Sequence, residues 1–369
     1  MFFSVLIFII TLLVLVLIHE LGHFLVARKF NIKVLEFGFG IPPRAWGKKV
    51  GETLISVNYL PLGGFVRLLG EDEVEESILE NERSSSEWSK RSFAAQKVDK
   101  RIAVVVAGVL MNIFLAWALF YAILFFQNFR IIYPTPEPVI FVAKVQDGFP
   151  AKDAGIKMGE RVIEVDGKEV FTIEETRNLI KSKNGEEITL TLSDLDKKNI
   201  RSVAIKPKLV DKDPLIGVIF SPLAFKQYET PTEKLFSGIT YSWDLTKLTF
   251  IGFGALFSDI FAGNLNKASQ SVSGPVGLTS VPNNILSIGA EAILPYIWFV
   301  GVLSLSLGIF NLLPIPALDG GRLFFLLVEA IIRKRVKVEI ERMVHQIGFA
   351  ALLLLAFLVT YSDISKVIK

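Results

Sequence analysis

The sequence predicts a polytopic α-helical membrane protein with four transmembrane helices, a β-hairpin in the first polar loop and a small inserted α+β domain. Three observations predict it. The 369 residues are 51% hydrophobic with a mean hydropathy of +0.48, too apolar for an ordinary soluble enzyme. Four apolar runs approach or exceed the length needed to cross a bilayer. Between the second and third lies a polar stretch of short β-branched runs separated by turn signals.

Composition also excludes. With no cysteine there is no disulfide framework, thiolate zinc site or cysteine nucleophile. The net charge of +3 is small, and no basic tract points to a nucleic-acid partner.

The first helix is expected over 1–28. Its charge-free run, Phe2 to Ile18, is at the lower limit for spanning, so the helix must continue through His19–Val26. No basic leading region or small-residue cleavage site marks it as a signal peptide, so it reads as a retained span. Residues 29–101 form a polar loop that opens with "EFGFG" (Glu36–Gly40). Within it Ile55, Val57 and Tyr59 alternate with Ser56 and Asn58, and Gly63-Gly64 breaks the run; a hairpin is expected over Leu54–Leu69. Glu71–Glu76 and Ser84–Ser86 read as solvated loop.

The second span is expected over 102–129, where no charge occurs, and the inserted domain over 134–210. Residues 230–290 read as an amphipathic surface helix plus linker. The helix, Phe236–Ala262, is interrupted by Asp244, Lys247 and Asp259, so it is expected to lie on the membrane rather than cross it. The third span covers 292–318, a loop 319–344, and the fourth span 346–362.

Against this apolar background "LVLIHELGHF" (Leu15–Phe24) stands out. A charged residue at the centre of a spanning helix costs roughly 2.5–3.5 kcal/mol on insertion scales, so ionisable residues at that depth point to function. His19 and His23, four apart, project from one helix face one turn apart. That spacing lets two imidazoles bind one zinc ion, while Glu20 is placed to act on water. A chance match would be costly in such a helix, and only His345 remains as a further histidine.

Two ligands do not complete a catalytic zinc site. The extended HExxHxxGxxH form fails, because Val26 and Lys29 stand where glycine and histidine are needed. Glu36 is one possible third ligand. Asp319, in "NLLPIPALDGG" (Asn311–Gly321), is the better one, since Pro314, Pro316, Gly320 and Gly321 would break the helix around it. An aspartate before two glycines also suits a plain turn, so spacing alone leaves the choice open.

Taken together the motifs resemble a family. "GFPAKDAGIKMGERVIEVDGKEV" (Gly148–Val170), followed by a helix over Thr172–Lys181 and a strand over Glu187–Leu192, resembles a PDZ domain. The order HExxH, GxG, "AGVLMN" (Ala107–Asn112), PDZ insert, "SGPVG" (Ser273–Gly277) and "NLLPIPALDGG" resembles the site-2 proteases throughout the chain, in the bacterial regulator of sigma-E protease branch. The resemblance implies an intramembrane zinc metalloprotease, with His19, His23 and Asp319 as zinc ligands and Glu20 as catalytic base. It implies that Asn311 helps to hold substrate, and that Gly38 and Gly40 sit by a membrane-dipping hairpin that takes the substrate as an added strand. The implied partners are membrane lipid and transmembrane or signal-peptide substrates, with the PDZ domain contacting substrate or a regulator. Two departures are visible. Val109 replaces a proline usual in the second span, and one PDZ domain stands where many relatives carry two.

Two other readings compete: a PDZ scaffold without catalysis, and a metalloprotease whose HExxH lies in a soluble domain. A scaffold needs no HExxH, and the place of His19 in the first span disfavours the other. Positive residues favour the cytoplasm. Arg28, Lys29, Lys33, Lys97, Lys100 and Arg101 flank the first loop, and Arg333, Lys334, Arg335 and Lys337 the last. The expectation is therefore a multi-pass protein with the PDZ domain and both termini outside and the active site towards the cytoplasm, in the bacterial inner membrane that the resemblance implies.

Overall fold

The computed structural model describes residues 2–71, 90–133, 139–194, 199–210, 213–221, 224–264, 275–287 and 289–368. Ser84–Ser86, the acidic stretch beyond Glu71, and Ser273 and Gly274 of the SGPVG motif lie outside the described residues. The chain folds as two compact units, Met1–Phe120 with Tyr241–Lys369, and Tyr121–Thr240.

The first unit opens with α1, Phe2–Lys29, which runs through the HExxH without a break. Strands β1 (Val34–Val50) and β2 (Thr53–Leu68) follow and pair antiparallel. The hairpin is thus longer than Leu54–Leu69, and it turns at Gly51-Glu52, between the paired Val50 and Thr53, rather than at Gly63-Gly64. Gly51 has a φ of +61°, the left-handed conformation that a two-residue turn requires. β1 was hard to foresee because it holds Gly38, Gly40, Gly47, Pro42 and Pro43, residues depleted in strands. The sheet folds back on itself. Residues 36–39 are flanked on one side by 64–67 and on the other by 54–57.

Helix α2, Val98–Phe126, starts before the expected Ile102. Arg101 in its first turn is buried, and pairs with Glu329.

The second unit runs β3 (Arg130–Tyr133), β4 (Ile140–Val145), α3 (Pro150–Asp153), β5 (Arg161–Val165), β6 (Lys168–Glu169), α4 (Ile173–Ser182), β7 (Ile188–Ser193), β8 (Arg201–Ile205), β9 (Lys208–Val210), β10 (Asp213–Leu215), β11 (Val218–Ser221) and β12 (Ala224–Gln227). Its main sheet has the order β11-β4-β5-β7-β8, with β6 on β5. Thr172 and Glu175 form a capping box that starts α4 where the sequence places it. The core is aliphatic, with Ile140, Val162, Ile188, Leu190 and Leu192 almost wholly buried. A boundary at Val210 is too early: β11 pairs with β4 and β12 with β3, so chain beyond it completes both sheets. Helix α5 (Pro231–Leu235) follows, and the unit runs on to Thr240.

Helix α6, Ser237–Phe261, forms as expected and is not one of the four helices long and apolar enough to span among the described residues. The stretch after it is not all linker, because 275–286 form α7 (Pro275–Leu286). The third span, α8 (Ile293–Leu312), stops short of Leu318, since Pro314 and Pro316 break the helix. Beyond it the expected loop 319–344 is wrong over its first half. Asp319–Ile332 is helix α9, whose Leu326 packs in the core with Val104, Val105 and Ala27. The last helix, α10 (Val338–Ile368), starts well before Gln346 and includes His345; its candidate span is Glu339–Tyr361.

Contacts fix the helix directions. Thr11 bonds Tyr296 near the start of α8, whereas His19 meets Asp319 beyond its end, so α1 and α8 run the same way. Gly301 packs on Phe120 and Gly308 on Ile113, so α2 runs oppositely.

Candidate metal centre and active site

Three segments distant in sequence converge here: the second half of α1, the first half of α2, and the break between α8 and α9. His19 Nε2 lies 2.7 Å from Asp319 Oδ2, His23 Nε2 3.1 Å from the same oxygen, and the two Nε2 atoms 3.1 Å apart. Ligand atoms bound tetrahedrally at about 2.0–2.1 Å from a zinc ion stand about 3.3 Å apart, so this triangle is of the right size to hold one. His23 has the right tautomer. Its Nδ1 lies 2.8 Å from the Val104 carbonyl, which can only accept, so Nδ1 carries the proton and Nε2 keeps its lone pair.

Close packing makes the convergence possible. A Cβ on Gly108 would meet His19 Cε1 at 2.8 Å and His23 Cε1 at 2.7 Å, so the α2 backbone comes directly against both imidazoles. One on Gly22 would meet the Ala107 carbonyl carbon at 2.7 Å, the small-residue approach typical of membrane helices. Asp319 is aimed by the loop before it. Ala317 adopts φ +75°, and its N–H donates to His345 Nδ1 at 2.9 Å. Gly320 and Gly321 are needed because a Cβ on either would run into the carbonyls of Leu313 and Ile315.

The residues border a cavity of about 250 Å³, lined by His19, Glu20, Asn112, Asn311 and Asp319 with Val16, Leu307, Ala317 and Leu318. Glu20 and Asn311 are thus brought to the metal-sized triangle. Glu36, the alternative ligand, is not. It is buried against Arg44, with contacts of 2.9 and 3.0 Å, and Arg67 at 2.7 Å.

Gly38 and Gly40 fall on the doubly flanked strand. Gly38 lies under the Phe65 ring, and Gly40, at φ +81°, against the Leu60 carbonyl. Gly64 is nearer the chemistry, since a Cβ there would lie 3.6 Å from Glu20 Cγ. Sequence reasoning did not assign a site role to Gly64, Gly108 or the Val104 carbonyl. For Gly108 the available signal is the adjacent pair of small residues, Ala107-Gly108, within an apolar helix.

A comparison with protein families decides the matter, because the model described as peptidase family M50 matches residues 7–355. The chain belongs to peptidase family M50. Among its curated relatives, the zinc metalloprotease RasP of Geobacillus kaustophilus is 32% identical, with 98% of each chain covered. The regulator of sigma-W protease RasP of Bacillus subtilis is 28% identical, again over 98% of each. A solved PDZ domain from Listeria monocytogenes aligns with 24% of this chain and 93% of its own, at 22% identity and a TM-score of 0.21, too slight a likeness to carry weight. As a member of family M50 the chain is a zinc metalloprotease of the membrane, engaged in regulated intramembrane proteolysis.

Proposed function

We propose that His19, His23 and Asp319 hold the zinc ion and that Glu20 is the catalytic base. The observation that carries this is the meeting of three metal-ligand atoms, two of whose residues, His19 and Asp319, line one cavity with Glu20. Zinc held there supplies a Lewis acid and makes water acidic enough, with a pKa of about 7, to serve near neutrality. Glu20 takes a proton from the attacking water and hands it to the leaving amine. The apolar walls Val16, Leu307 and Leu318 limit the water that enters.

A peptide bond inside a helix is shielded, so the substrate must unwind. We assign the docking edge to residues 63–67 of β2 rather than to Gly38 and Gly40. Among the described residues no strand pairs with the outer side of 64–67, and Gly64 stands beside Glu20. A substrate strand added there exchanges helical hydrogen bonds for ladder bonds next to the proton carrier. Asn311, on the cavity wall, supports the scissile backbone.

The second unit is read as the PDZ domain, and it filters access. Positive residues put the 29–97 loop and the 333–337 turn in the cytoplasm, with the PDZ domain and both termini outside. The antiparallel run of α1, α2 and α8 supports that topology with α6 not crossing, and exposed Trp243, Phe250, Ile251 and Phe257 suit a face lying on lipid. Substrates are membrane-anchored proteins, with anti-sigma factors and remnant signal peptides as the classes. The test is Glu20→Gln. The variant should keep its zinc and lose cleavage of a transmembrane substrate; cleavage equal to the parent's would overturn the assignment.

A further inference from the structure

His23 has a backbone carbonyl to fix its proton; His19 faces Asn112 instead. Asn112 is completely buried, with Nδ2 3.4 Å from His19 Nδ1, and its Oδ1 is enclosed without a hydrogen-bond partner. Its backbone carbonyl accepts from Ser304 Oγ at 2.8 Å, which ties this point of α2 to α8. The orientation as it stands conflicts with metal binding. An N–H donated to Nδ1 leaves the proton on Nε2, where a zinc ligand needs a lone pair. Turning the amide about its terminal bond exchanges oxygen for nitrogen at almost no steric cost, since the two ends have the same shape. Oδ1 then accepts from Nδ1–H, and the enclosed oxygen gains its partner.

We propose that Asn112 is a positioning residue for the zinc site. Its side-chain oxygen accepts the Nδ1 proton of His19 and thereby holds the Nε2 lone pair towards His23 and Asp319. This rests on the ligand assignment above, and it gives the asparagine of AGVLMN a chemical task apart from helix packing. The carbonyl of Val104 does for His23 what Asn112 does for His19.

The test compares Asn112→Asp, which keeps an acceptor and loses the donor, with Asn112→Leu, which keeps the volume and loses both. Zinc affinity is read in the full-length protein by competition with a chromophoric chelator. Asn112→Leu should weaken zinc binding about 10–100-fold, the usual cost of losing such a partner, and Asn112→Asp should stay within a few-fold of the parent. Loss in Asn112→Asp as large as in Asn112→Leu would mean that the donor matters, and full affinity in Asn112→Leu would mean that neither does; either result overturns the proposal. Should a variant fail to fold, the parent itself decides. With only three histidines in the chain, nitrogen-15 NMR of the zinc-loaded protein resolves each ring. His19 protonated at Nδ1 and metallated at Nε2 supports the assignment, and His19 unprotonated at Nδ1 contradicts it. Zinc affinity in Asp319→Ala equal to the parent's would sink the ligand set instead.

Discussion

His19 Nε2 and Asp319 Oδ2 stand 2.7 Å apart although 300 positions separate them in the chain. Nothing local joins them. The contact exists because α1 and α8 run side by side, because α8 ends at Leu312, and because a tight turn through Ala317 brings the next residues back onto the second half of α1.

Removing Asp319 should therefore undo the site without unfolding the bundle. In Asp319→Ala, zinc retained after dialysis against a weak chelator should fall at least about tenfold, since an open pair of imidazoles holds the metal poorly. Elemental analysis checks it. Full occupancy would move the third ligand elsewhere.

Gly108 should be intolerant of a single methyl group. In Gly108→Ala the added carbon has nowhere to go but into the two imidazoles, and overpacking of this kind costs about 1–3 kcal/mol. Zinc binding and cleavage should drop together. Gly252→Ala is the matched control, since a Cβ there meets nothing within 4 Å and both properties should stay unchanged.

The substrate edge can be mapped directly. A photo-crosslinking side chain at Arg67 should capture a bound substrate in the Glu20→Gln background, and one at Lys48, on the far edge of the same sheet, should not. Capture at Lys48 alone would place the added strand on the wrong side for this chemistry.

Topology is open to cysteine labelling, because the chain has no cysteine of its own. A membrane-impermeant reagent applied from outside should mark a cysteine replacing Asp166 and spare one replacing Lys334. The reverse pattern would invert the model.

How much of this was legible beforehand follows from the range of the forces involved. The pairing of His19 with His23 is helical periodicity, and it could be read from four residues. Asp319 could not be read that way; spacing left it level with a turn aspartate, and only the whole order of motifs favoured it. The hairpin turn was misplaced because Gly63-Gly64 has the look of a turn, while Gly51-Glu52 is where the chain turns. Helix α9 was missed for a related reason. Gly320-Gly321 resembles a helix breaker, yet the glycines serve close approach to the carbonyls of Leu313 and Ile315 inside a first helical turn. The domain end at Val210 fell short because β11 is only a short strand, Val218–Ser221, and its partner β4 lies far back in the sequence. Signals within one turn or one strand were readable; those that depend on a partner far along the chain were not.

The central claim is that one zinc ion is shared by α1 and the start of α9. X-ray absorption at the zinc edge of the purified full-length protein tests it most directly. The account predicts two imidazole nitrogens at about 2.0–2.1 Å with carboxylate or water oxygens at about 2.0–2.2 Å, one imidazole lost in His23→Ala and an oxygen changed in Asp319→Ala. A zinc shell with fewer than two imidazoles in the parent, or one left unaltered by both substitutions, would contradict it.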